Sequence, residues 1–103
     1  MSLTTPSRVR NRVPLSGIPD YVIEEFITDA ESWVEAFVGR DITTSDNYYE
    51  LARSVCTNKT TVLLILHELK NSFGDRREIL SRLLEEFQTL VAEEKNTLRR
   101  IIP

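Results

Sequence analysis

The chain has 103 residues and a mass of 11.9 kDa, one small domain on the scale of roughly 100–200 residues per domain. Its 41% apolar and 28% charged residues read as globular, and a net charge of −3 gives no whole-chain attraction to nucleic acid or to an acidic membrane. One cysteine excludes an internal disulfide and a multi-cysteine zinc site and fits a reducing compartment, and the longest apolar run, Val62 to Leu66, is far short of the roughly 20 residues a membrane span needs.

The first element starts at Thr5-Pro6, where a hydroxyl acceptor at the N-cap precedes a ring suited to the first turn. It is short, because Pro14 disfavours a helical Val13, and residues 14–18 read as a turn. Pro19 opens a second helix with Val22, Ile23, Phe26, Ile27, Ala30, Trp33, Val34, Phe37 and Val38 on a broad stripe of helical period. Asp20, Glu24 and Glu25 suit its positive end, and Gly39 stands where a left-handed residue stops it.

A polar connection, 40–46, leads to Asn47 and Glu50, spaced as a capping box. The third helix then runs to about Asn71. It is apolar almost all round, through Leu51, Val55, Cys56, Val62, Leu63, Leu64, Ile65 and Leu66, which makes it the central helix. Gly74 reads as its stop, and Asp75 with Glu78 as the capping box of a fourth helix over about 76–99. That helix carries Ile79, Leu80, Leu83, Leu84, Phe87, Leu90, Val91 and Leu98. No stretch alternates as a strand does. The expected fold is all-α, a single-domain bundle of one short and three long helices over 1–103, neighbouring long helices antiparallel. Leu63, Leu66 and Phe26 are expected core positions. Residues 98–103 read as an uncovered apolar end that is mobile or ordered by a partner.

Charge is unevenly spread. Residues 1–12 carry +3, residues 13–50 carry −8 and residues 51–103 carry +2. Opposed segments suit head-to-tail contacts between copies; solvated helix faces account for them equally simply.

No catalytic constellation is readable. His67-Glu68 begins like the zinc-protease pattern, but Asn71 stands where the second imidazole is required. Cys56 falls on an apolar side and reads as core rather than nucleophile. Asn58-Lys59-Thr60 matches a glycosylation triplet in mid-helix and reads as coincidence. The neighbouring acids Glu24/Glu25, Glu85/Glu86 and Glu93/Glu94 diverge around their helices and do not converge on a site. Trp33 and Phe37, one turn apart, read as core, with a partner anchor as the alternative. The chain is expected to need no cofactor and no metal, and to be no enzyme.

The succession Thr4-Thr5-Pro6-Ser7-Arg8-Val9-Arg10, then Ile18-Pro19-Asp20-Tyr21-Val22-Ile23-Glu24-Glu25-Phe26-Ile27, then Asp29-Ala30-Glu31-Ser32-Trp33-Val34 to Gly39-Arg40, and Tyr48-Tyr49-Glu50-Leu51-Ala52 opening a long helix, resembles the head–tail connector (head-completion or adaptor) proteins of tailed phages. The resemblance covers roughly residues 4–70. It implies an all-α structural protein of the virion neck, made in the host cytoplasm from a phage or prophage. Its copies would form a closed ring, about twelve by the family's pattern, between the portal protein and a tail or stopper protein. DNA would pass through as cargo, and no membrane is involved. On that reading Arg8, Arg10, Arg12, Leu98, Arg99, Arg100, Ile101 and Ile102 are the candidate subunit or portal interface. Glu24, Glu31 and Glu35 are the candidate channel face. Two other readings fit the residues: a small helical interaction or regulatory module that dimerises through spare apolar surface, and a DNA-binding helical protein using its arginine clusters (Arg8, Arg10, Arg12 and Arg76, Arg77, Arg82).

Overall fold

The computed structural model describes residues 3–13, 17–39 and 42–102. Four helices follow one another: α1 (Pro6–Arg10), α2 (Asp20–Val38), α3 (Tyr49–Leu69) and α4 (Gly74–Ile101). No strand occurs among the described residues. The all-α class with one short and three long helices is as expected. The expected turn at residues 14–18 lies mostly outside the described residues.

The helix ends show where local chemistry decides. The Thr5 side chain caps α1 by accepting the Arg8 backbone N–H. Gly39 ends α2 at φ 87°, a left-handed conformation that costs a residue with a Cβ about 1–2 kcal/mol. The other two expected starts are displaced. The α3 N-cap is Tyr48 with no side-chain cap. Reciprocal bonding instead closes the turn before it, where the Thr43 N–H donates to Asp46 Oδ2 and the Asp46 N–H to the Thr43 carbonyl. Gly74 does not stop α3, which ends at Leu69; it is the first residue of α4, at φ 61°.

Helix α3 is the central helix: α2 and α4 both pack on it, and α1 is laid across α2 and α3. The backbones of α2 and α4 stand apart, and their side chains meet over α3. The molecule is long and flat, 45 × 26 × 19 Å, and the 28 residues of α4 account for its length.

Two apolar clusters run along α3. One gathers Leu3, Ala30, Val34, Tyr48, Ala52, Val55, Cys56 and Leu98. The other gathers Val9, Val13, Ile18, Ile23, Ile27, Leu64, Ile65 and Leu80. The cleft at its α1 side leaves only about 10 Å3, room for about one water.

The middle of α3 departs from the expected pattern. Thr57, Asn58, Thr60 and Thr61 are all buried. The Thr57, Thr60 and Thr61 hydroxyls donate to the carbonyls of Arg53, Cys56 and Thr57, one turn back. Such back-bonding satisfies a buried hydroxyl within its own helix, so these residues pack as small side chains. Asn58 donates through Nδ2 to Glu94 Oε1 of α4 at 2.6 Å, and the Ser54 hydroxyl donates to Glu94 Oε2 at 2.5 Å. A glycan has no access to this Asn58. Conversely Leu66, an expected core residue, is 42% exposed, and Leu63 and Phe26 are half-buried at the edges of the clusters.

Candidate functional site

The three acids of the candidate channel face differ in surroundings. Glu24 is exposed, but Glu31 and Glu35 are half-buried. Glu31 Oε2 accepts the Leu3 backbone N–H at 2.6 Å, while Arg53 Nε donates to the Leu3 carbonyl and the Thr4 and Thr57 hydroxyls hydrogen-bond each other. The chain before α1 is thereby clamped onto α2 and α3. Glu31 holds a backbone group and is not a free channel-lining charge.

The N-terminal arginines also differ in role. Arg10 donates to Asp20 at 2.6 Å and to the Ile18 carbonyl at 2.6 Å, tying α1 to the start of α2. Arg8 is half-buried and Arg12 is exposed. At the other end Leu98 is 0% exposed, within the first apolar cluster. It is removed from the candidate interface, because this same chain covers it. Ile102 packs half-buried on that cluster, leaving Arg99, Arg100 and Ile101 exposed. Of residues 98–103, all but Pro103 are described, and α4 extends as far as Ile101.

Two other surfaces emerge that the chain order conceals. The first is a strip on α4. With about 100° between successive residues, Ile79, Leu83, Leu90 and Ile101 fall within about 40° of one line. The buried Leu80, Val91 and Leu98 lie roughly 80° further round. Ile79 is 58% exposed, Leu90 and Ile101 are exposed, and Leu83 is half-buried. Phe73, just before α4, is 84% exposed.

The second surface is the groove where α2 and α4 stand apart over α3. Trp33 forms one wall, Gln88, Ala92 and Lys95 the other, and Val62 and Val91 the floor, enclosing about 240 Å3. Lys59 Nζ lies 4.7 Å and Lys95 Nζ 5.2 Å from the Trp33 ring centre. Lys95 and the Arg99 guanidinium cover Phe37 at 5.1 and 5.3 Å. Cation–π contact holds each of these cations in place. None of the three forms an ion pair among the described residues. Trp33 and Phe37 are thus half-buried, neither wholly core nor free.

The remaining reactive side chains are quiet. Burial, with Glu31 and Glu35 nearby, pushes the Cys56 thiol up to about 12 despite a hydrogen bond with Thr60 that favours the thiolate, the opposite of an activated nucleophile. His67 is exposed, edge-on to the Phe26 ring at 5.5 Å. No group of three or more metal-ligating side chains gathers among the described residues, and no helix there is long and apolar enough to cross a membrane. Compared with known proteins, the chain matches no family model, and no curated protein and no solved structure is similar to it.

Proposed function

We propose that this chain is a structural assembly subunit of the head–tail connector kind, working as one copy in a ring between a phage portal and the tail. The observation that carries the reading is the uncovered apolar strip of α4, from Ile79 through Leu90 to Ile101, with Phe73 at its head. It extends over about 33 Å of helix. Exposed apolar side chains that recur along one line of a helix, here with Glu86 and Thr97 between them, suit a neighbouring element laid alongside α4. The sequence resemblance over residues 4–70 supplies the identity of that neighbour: another copy, or the portal.

The test is capture by the portal ring of the same phage or prophage, followed by cosedimentation and native mass. The intact chain is expected to join the ring. The double variant Ile79→Glu, Leu90→Glu, which changes exposed positions only, is expected to lose at least about tenfold in affinity, a change of about 1.4 kcal/mol. An intact chain that joins neither a portal nor a ring of its own overturns the reading. Tight, salt-dependent binding to duplex DNA in its place would move the assignment to the nucleic-acid class.

A further inference from the structure

The groove over Trp33 has an apolar floor, an aromatic wall and a cationic rim. Its about 240 Å3 is below the roughly 300–1,000 Å3 of pockets for drug-sized ligands. It is sized for an inserted side chain. The cations at its rim already sit on ring faces and lack carboxylate partners among the described residues. Such a site selects an aromatic or apolar side chain flanked by acids.

The same chain presents that shape elsewhere. Tyr21, in the first turn of α2, is 66% exposed. Glu24 and Glu25, three and four residues on, share its face of the helix and are exposed. Neither carboxylate has a partner among the described residues. Trp33 is twelve residues further along α2, about 18 Å along the axis and roughly a third of a turn around it. Tyr21 therefore cannot reach the groove of its own molecule.

We propose that Tyr21 of one copy inserts into the Trp33 groove of the next, with Glu24 and Glu25 meeting Lys59 and Lys95. The contact joins two different surfaces, so it is heterologous: it propagates from copy to copy and closes where the rotation allows. The acidic start of α2 acts as the knob, and the basic flank of α4 that faces α2 completes the hole. This contact lies on the opposite flank of α4 from the apolar strip, which stays available to a second partner. The inference rests on the assembly reading above and specifies the contact between copies.

Sedimentation equilibrium of the full chain at low salt tests it with three variants. Tyr21→Ala loses the knob and keeps the groove. Lys59→Glu, Lys95→Glu loses the groove and keeps the knob. Glu24→Lys, Glu25→Lys reverses the knob's charge. The wild-type chain is expected to self-associate, and each variant alone to associate at least about tenfold more weakly. A mixture of the first two variants is expected to give a dimer that stops there, one good knob in one good groove. The third variant mixed with the charge-reversed groove is expected to regain association. Helical circular dichroism checks that each variant is folded. A wild-type chain that stays monomeric at millimolar concentration overturns the knob-and-groove contact, whereas portal capture decides the connector reading independently. Self-association that survives both single-surface variants but fails in Ile79→Glu, Leu90→Glu overturns the contact and leaves the connector reading standing. A mixture that forms no dimer, or a groove that binds only a different protein, overturns it as well.

Discussion

Replacing Glu94 by alanine should be among the most damaging changes on α4, although its surroundings in the sequence look like an ordinary solvated face. The carboxylate accepts from the Ser54 hydroxyl at 2.5 Å and from Asn58 Nδ2 at 2.6 Å. Asn58 is buried, and its Oδ1 has no partner among the described residues, so its Nδ2 bond to Glu94 is the only side-chain hydrogen bond it makes among them. Hydrogen bonds to a charged group contribute about 1.5–3 kcal/mol each, and an orphaned buried donor costs about 1–3 kcal/mol. Ser54 is half-buried, so water can replace its share of the loss. The net expectation for Glu94→Ala is about 2–4 kcal/mol, a large part of the roughly 5–15 kcal/mol available to a domain of this kind.

Urea unfolding measures this as a fall in the midpoint at constant slope. Glu94→Gln, which keeps an acceptor for Asn58, should lose less. The double variant Asn58→Leu, Glu94→Leu should be milder than the sum of its parts, because replacing both partners leaves no orphan. Contacting residues couple by about 0.5–3 kcal/mol. A Glu94→Ala loss within about 0.5 kcal/mol, or strict additivity of the two sites, would refute the reasoning and show that α4 is held to α3 by apolar contact alone.

Leu98→Ala should cost about 2–5 kcal/mol, while Leu66→Ala, at a 42% exposed position, should cost under about 1 kcal/mol; denaturant midpoints compare the two directly. Cys56 should resist thiol reagents at pH 8 until the chain unfolds, with labelling rates as the readout. Its thiol is raised in the fold from 9.0 to about 12, so the unfolded chain loses that proton first. The stability it contributes is full below pH 9 and falls away as pH rises toward 12, by up to about 1.4 kcal/mol per pH unit; Cys56→Ala should flatten that part of the profile. Glu31→Gln should loosen the Leu3–Thr5 clamp, and faster amide exchange at Leu3, with the rest of α2 unchanged, is the sign to measure.

The helices were legible where a single stripe of apolar residues decided them. The run from Val22 to Val38 placed α2, Thr5-Pro6 placed the start of α1, and Gly39 placed the end of α2. The boundary between α3 and α4 was not legible, because a glycine in the left-handed region can close one helix or begin the next, and Gly74 does the latter. The burial of α3 on several sides was legible, but not the part its threonines play: Thr57, Thr60 and Thr61 are polar by type, yet each spends its hydroxyl on a carbonyl one turn back and packs as a small apolar body. Once those positions face inward, Leu66 is turned toward solvent. Leu98 looked uncovered because so small a chain was expected to offer too few neighbours for an apolar end; α4 continues to Ile101, and Leu98 and Ile102 pack in the first cluster. The groove has no linear signal at all. Trp33 and Phe37 stand one turn apart in sequence, but Lys59, Lys95 and Arg99 reach them from two other helices.

The small residues of α3 and the spare surfaces of α4 have one physical origin. A middle helix buried through Ala52, Cys56, Thr57, Thr60 and Thr61 offers its neighbours shallow surfaces. Side chains this short leave α2 and α4 on α3 without bringing them together, and long cationic side chains span the gap that remains. Helix α3 is then the main partner of each outer helix. On the 28 residues of α4 only one line of side chains, Leu80, Val91 and Leu98, is buried. On α4 one flank carries Ile79, Leu90 and Ile101 and the other carries Lys95 and Arg99 beside two aromatic rings. A compact three-helix bundle of the same composition would bury its third helix against both others and lose both surfaces. Enlarging α3 at the fully buried Thr60 or Thr61 should overpack it and cost about 1–3 kcal/mol, read as a fall in the urea midpoint.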